Sequence, residues 1–314
     1  MSAALHEETP AYEPKQPSGL TKVMASALEH LSCRATIRSL MCWLMPMVVA
    51  VTYACHSGEI SRERCSTKHD SKAAGQLLPS IKESRFAEVS QEPSAPRRIQ
   101  VFFHVITKGP EYSDGKIGKD QIDKQMEVLN NAFANTHFQF YLAADVDYQT
   151  KPEWFDITRE SEGEVEEALG VKRKDTLNVY TANLEGAYGW TVEPNEIQTY
   201  PYKGVMILFT TLPDGERYPY NLGHTLVHEI GHWLGLFHTF ENGCDSPGDN
   251  VDDTAPEASG SRACEADRNT CSGDQLPDPI DNFMDYSPDY CTNKFTDNQV
   301  TLMNQTFAAY REGP

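Results

Sequence analysis

One stretch constrains this chain more than any other: Thr225-Leu-Val-His228-Glu229-Ile-Gly231-His232-Trp-Leu-Gly235-Leu-Phe-His238. It reads His-Glu-x-x-His-x-x-Gly-x-x-His. Residues four apart on a helix share a face, so His228 and His232 can hold one ion between them. Glu229 directly follows the first ligand and stands beside the ion, where it can take a proton from a metal-bound water. Gly235 lets the chain leave the helix through a conformation that side chains resist, and the turn returns His238 as a third imidazole. Three neutral nitrogens and one open position describe a catalytic zinc site, because structural sites fill all four positions with protein.

A bare His-Glu-x-x-His arises by accident on amphipathic helices. Here five identities are fixed within eleven residues, and chance supplies that on the order of 10⁻⁵ times per chain of this length. A second element follows, Asn282-Phe-Met284-Asp-Tyr286-Ser287, with Met284 lying 46 residues past His238. The loop before it is rich in Asp, Pro and Gly, and Cys291 comes after it, which suits a tight turn held under a metal. Tyr286 carries a hydroxyl that can swing toward the zinc and donate to a developing oxyanion. Its alternative role is a buried aromatic with a satisfied hydroxyl.

The formal net charge of −19 argues against a nucleic-acid partner, because binding phosphate needs a cationic surface. It favours calcium or cationic substrates. The eight cysteines form two groups, Cys33, Cys42, Cys55 and Cys65 near the start and Cys244, Cys264, Cys271 and Cys291 after the zinc motif. Four cysteines allow three pairings, and their spacing does not choose among them. None of the second group sits in a Cys-x-x-Cys pair, so disulfides in an oxidising compartment are expected over a second structural zinc. Residues 241–281 form a long irregular connection carrying Asp245, Asp249, Asp252, Asp253, Asp267, Asp274, Asp278 and Asp281. Two disulfides would restrain such a loop, and its oxygen ligands suit calcium, although no EF-hand spacing is present.

Three regions are expected. Residues 1–54 are a leader and signal-like segment, in which the fifteen-residue apolar run 40–54 follows Arg34 and Arg38 and resembles a signal-peptide core. That run is short for a membrane span, which needs about 20 residues. Export as a secreted, extracellular protein is the expectation, with a membrane-anchored form as the alternative. Residues 55–97 read as a pro-segment or linker, and Cys65 within it is a candidate latency thiol that would hold the zinc as a thiolate. Residues 98–314 are the expected catalytic domain. There, β-branched and aromatic runs at 99–107, 138–142, 178–184 and 204–210 read as strands. Ile122, Met126, Leu129 and Phe133 mark a helix over 120–135. Thr296 and Gln299 fit a capping box for a terminal helix burying Val300, Met303 and Phe307. The strand at 204–210 is expected to receive an extended protein or peptide substrate as an added strand.

Three segments, Phe103-His-Val-Ile106, the stretch 221–240 around the zinc motif, and 282–287, resemble the pappalysin family of metzincin zinc metalloproteases, in its secreted cytophagalysin-like branch. The likeness runs from about residue 99 to about 310. It implies an α+β, metzincin-type zincin domain, with a twisted mixed sheet and two long helices above an irregular, disulfide-bonded lower subdomain. It also implies Met284 as the hydrophobic floor of the zinc site, the pairings Cys244 with Cys271 and Cys264 with Cys291, and zinc-dependent endopeptidase activity. Arginine-preferring relatives carry an acidic residue just before the last cysteine, where this chain has Tyr290, so a pocket for apolar or neutral side chains is implied. His224 stands where relatives often have Arg. The competing reading is a catalytically inert zinc-binding interaction protein, and Glu229 weighs against it because scaffolding needs no base.

Overall fold

The computed structural model describes residues 62–67, 95–143, 145–192, 203–273 and 276–312, all within the unit His56–Pro314. The signal-like segment of residues 1–54 and the cysteines Cys33, Cys42 and Cys55 lie outside the described residues, as does Asp274.

The elements in chain order are β1 (Arg97–Thr107), α1 (Lys119–Ala132), β2 (Phe138–Leu142), β3 (Asp147–Thr150), α2 (Pro152–Phe155), β4 (Asp156–Ile157), α3 (Glu162–Leu169), β5 (Thr176–Leu184), β6 (Gly189–Thr191), β7 (Val205–Leu208), α4 (His224–Trp233) and α5 (Asp297–Thr306). The sheet runs β2-β1-β5-β7-β6, with β3 added to β1 and β4 added to β5. Every pairing is parallel except β6 with β7. Residues buried on both faces explain why β5 reads as an almost continuous apolar and small-polar run rather than an alternating one. This is the α+β metzincin fold.

The topology corrects one expectation. Residues 205–208 pair with β5 on one side and β6 on the other, so that strand is internal and cannot accept a substrate strand. The edge is β6, a three-residue strand that sequence alone does not mark. Residues 209–210, read as the end of the strand, belong to a 3₁₀ turn over Phe209–Thr211 instead.

Helix α1 buries Ile122, Met126 and Leu129 as its spacing requires, and Phe133 follows at its end. Each such side chain contributes roughly 1.5–3 kcal/mol relative to exposure. Gln125, on the same face, donates from Nε2 to the carbonyl of Gly223 at 3.0 Å, which ties α1 to the start of α4. At α5, Thr296 accepts from the Gln299 amide and the Gln299 side chain accepts from the Thr296 amide, completing the expected capping box. Met303 and Phe307 are buried, whereas Val300 is only half-buried.

Below the sheet, the chain from the end of α4 to α5 is irregular among the described residues. Two disulfides pin it, Cys244–Cys271 and Cys264–Cys291, with Cα atoms 5.5 and 5.8 Å apart. Arg268 adds a polar crosslink, reaching the carboxylates of Glu257 and Asp278 and the carbonyl of Ser259.

Candidate zinc centre and substrate cleft

Helix α4 is buried along its length from Thr225 to Trp233. His228 directs Nδ1 to the carbonyl of Phe283 at 2.7 Å, and His232 directs Nδ1 to the carbonyl of Leu236 at 2.8 Å. Carbonyls only accept, so both Nδ1 atoms carry protons and both Nε2 atoms present lone pairs. Gly235 takes a φ of 96°, and a β-carbon there would meet Thr306 Oγ1 at 2.4 Å, so the turn after the helix needs glycine on both counts. That turn brings His238 Nε2 to 3.1 Å from His232 Nε2, which is itself 3.1 Å from His228 Nε2.

Converging lone pairs repel unless a cation lies between them. Tetrahedral zinc with bonds of about 2.0–2.1 Å sets its nitrogens roughly 3.3 Å apart, so this donor set fits that ion. Cys65 Sγ joins the three imidazoles, and all four ligand atoms lie within 4.8 Å of one another. Cys65 is buried and in no disulfide.

The surroundings hold these groups in place. Met284 is fully buried, and a β-carbon on Gly231 would come 2.3 Å from its sulfur, so the helix is bare where the methionine lies under it. The turn around Met284 is fixed by Asn282, which accepts from the Met284 amide at 2.9 Å and exchanges amide hydrogen bonds with Gln299. Gln299 therefore serves α5 and the metal floor together. Phe240 stacks on His238 at 4.7 Å, and Tyr286 meets the same imidazole edge-on at 5.0 Å. Glu229 is wholly buried, which pushes its carboxyl up to about 7. Burial likewise raises the Cys65 thiol and the Tyr286 phenol.

Residues 62–67 lie along β6 through this centre. Glu63 donates from its amide to the Gly186 carbonyl at 2.7 Å and accepts from Tyr188 at 2.9 Å, and the Ser66 amide donates to Gly189 at 3.1 Å. The bridge between Glu63 and Ala187 is parallel. The walls of the cleft meet the segment at Arg64, Cys65 and Thr67. The Tyr286 hydroxyl donates to the Cys65 carbonyl at 3.0 Å. The Thr67 hydroxyl donates to Glu229 Oε2 at 3.0 Å and accepts from the Thr191 amide at 3.0 Å. Arg64 donates to Asp289 Oδ1 at 2.8 Å with both side chains buried, and its guanidinium lies over the Tyr220 ring at 4.6 Å. Asp289 Oδ2 accepts from the amides of Leu222 and His224 at the start of α4.

The sequence-derived residues His228, Glu229, His232, His238, Met284, Tyr286 and Cys65 therefore meet at one place. Tyr290, weighed as a pocket residue, is 58% exposed, while the acidic neighbour Asp289 is buried under Arg64. Sequence reasoning passed over Asp289, Thr67, Phe240 and β6. The flanking Arg64 was a usable signal, but nothing local pairs it with a residue 225 positions away.

Comparison with known proteins agrees with this geometry. The M43 peptidase family described as pregnancy-associated plasma protein-A matches residues 176–308. An extracellular metalloprotease of Sordaria macrospora is 36% identical over 262 residues, spanning 81% of this chain and 91% of the relative. This chain belongs to the pappalysin family. An extracellular metalloprotease of Neurospora crassa is 36% identical to this pappalysin over 79% of this chain and 88% of its own. Among solved structures, Tannerella forsythia mature mirolysin in complex with a cleaved peptide has 26% identity and a TM-score of 0.59, covering 71% of this chain and all 100% of that one. Promirolysin gives 25% identity and a TM-score of 0.65 over 79% of this chain and 95% of its own. The pappalysin described here is thus a metalloprotease whose relatives are named extracellular. No helix among its described residues is long and apolar enough to cross a membrane.

Proposed function

We propose that this pappalysin is a secreted zinc endopeptidase made as a latent precursor. The observation that carries the reading is the convergence of three imidazole Nε2 atoms beside a buried carboxylate. His228, His232 and His238 would hold the zinc, which when bound acidifies a water and polarises the scissile carbonyl. Glu229 takes a proton from the attacking water and returns it to the amine as the C–N bond breaks. Its carboxyl, raised to about 7, suits that two-way transfer near neutral pH. Tyr286 donates its hydroxyl to the carbonyl oxygen as negative charge develops there, the same role it plays toward the Cys65 carbonyl. The substrate takes the place of residues 62–67 and pairs its main chain with β6. Asp289 and Tyr220, which receive Arg64, favour a basic side chain next to the cleaved bond.

In the precursor, Cys65 supplies the fourth ligand and residues 55–97 form the pro-segment of the 98–314 catalytic domain. Residues 1–54 direct export. The buried Asp249 is a candidate calcium ligand: Oδ1 accepts from Val251 and Thr254, while Oδ2 has no partner.

The test is Glu229→Ala. The variant should keep stoichiometric zinc by elemental analysis and lose at least about a thousandfold in peptide hydrolysis. Retention of substantial hydrolysis refutes the role given to Glu229. Calorimetric titration of chelated protein with calcium, showing neither binding heat nor a melting shift, ends the calcium assignment.

A further inference from the structure

We propose that the cleft carries a second seat for an arginine side chain, formed by Asn183 and the carbonyl of Leu184 at the end of β5, so that the preferred substrate carries basic residues at alternate positions. The inference rests on the protease reading above and extends it to substrate class.

Arg62 fills this seat. Its Nε donates to the Leu184 carbonyl at 2.9 Å and its Nη2 donates to Asn183 Oδ1 at 2.8 Å. Two acceptors engage Nε and Nη2, the paired donors along one edge of the planar guanidinium, a fork that an ammonium group cannot match. The seat is preset. Asn183 donates from Nδ2 to Asp156 Oδ1 at 2.5 Å, which holds the amide with its oxygen toward Arg62. The Asp156 carboxylate behind the amide adds negative potential. Asn183 and Leu184 are themselves held in register by the pairing of β4 with β5.

The placement is that of a substrate contact. Arg62 and Arg64 both precede Cys65 in the chain, and the residue between them, Glu63, makes main-chain contacts with Gly186 and Tyr188, just before β6. Arg64 enters the Asp289 seat and Arg62, two residues farther out, enters the Asn183 seat. A peptide that replaces residues 62–67 beside β6 would set side chains two residues apart toward these two places. The net charge of −19 draws such a cationic peptide toward the cleft. The seat is partly open to water, so its selectivity is modest.

The test compares peptides that differ only in the residue two positions beyond the basic residue at the scissile bond, on the far side from the cut. The enzyme is the full chain activated by limited proteolysis of its amino-terminal segment. Arginine should exceed glutamine by roughly 3- to 10-fold in kcat/KM, mostly through KM, with lysine between them. In Asn183→Leu the arginine-to-glutamine ratio should fall toward one. A second measurement needs no catalysis: in the latent full chain, Arg62→Gln and Asn183→Leu should each speed alkylation of Cys65, followed by mass spectrometry of its peptide. The double variant should be no faster than either single one. Equal rates for the three peptides, together with additive effects on Cys65, overturn the second seat while leaving the protease reading intact. Absence of hydrolysis of every peptide by an enzyme that holds zinc overturns the protease reading instead, and the Cys65 measurement still decides the seat.

Discussion

The hydroxyl of Thr67 donates to Oε2 of Glu229 at 3.0 Å, across 162 residues of sequence. A residue of the amino-terminal segment thereby occupies the carboxylate assigned as the base, while its neighbour Cys65 occupies the open corner of the imidazole set. On the proposed reading, latency is shared between the two contacts. In the full chain, Cys65→Ala should raise peptide hydrolysis more than tenfold, and Thr67→Val should raise it by roughly 3- to 10-fold, the range of a single buried hydrogen bond. Fluorogenic peptide assays on the unprocessed proteins decide the point. Unchanged activity in both variants would falsify the latent role of the segment.

Gly231 and Met284 form a contact that admits no side chain, since a β-carbon would stand 2.3 Å from the methionine sulfur. Gly231→Ala should therefore cost about 1–3 kcal/mol by overpacking. Urea unfolding measures that loss, and a competition titration with a chelator should show weaker zinc retention. A variant as stable as the parent, with equal zinc affinity, would show that the methionine moves aside freely.

The disulfide Cys264–Cys291 closes a loop of 27 residues and ends two residues after Asp289. Replacing both cysteines by serine should remove about 2–4 kcal/mol of stability. Activity on peptides with a basic residue at the scissile bond should fall further than activity on neutral ones, because Asp289 loses its anchor. Comparison of unfolding curves and of the two peptide classes tests both halves of this expectation.

Glu166 lies buried on α3 with one oxygen accepting from the Gly204 amide at 3.1 Å and the other unpaired. Burial, then the nearby Glu162, pushes its carboxyl up to about 8, against the weaker pull of Lys203 and Arg159. A raised value means that the folded state prefers the proton. Stability from this group is thus fully present below the ordinary glutamate value of 4.5 and is lost as the pH rises through about 8. Glu166→Gln keeps the site neutral. The variant should melt level with the parent near pH 4.5 and above it at pH 9. Parallel melting curves at both pH values would contradict the assignment.

Removal of the metal bears on stability as well as activity. Chelation should abolish hydrolysis and lower the melting midpoint, because the three lone pairs then face one another without a cation. Readdition of zinc should restore both.

The proposed ligand set was legible in the sequence because it is local. His228 and His232 share a helical face by spacing alone, and Gly235 turns the chain within three residues of His238. The α1 stripe and the cap at Thr296 are likewise written within a few residues of themselves. The substrate edge was not. The sequence points to the strand at 204–210 as the one that receives substrate, but β6 pairs antiparallel with residues 205–207 and takes the edge. The Asp289 and Asn183 seats were decided by tertiary structure alone, since each is defined by a guanidinium more than 100 residues distant in the chain. Periodicity reports what a backbone of known geometry does over one or two turns. Which acceptor a remote side chain reaches depends on how strands are ordered and loops are closed, and that is set only when the whole core packs.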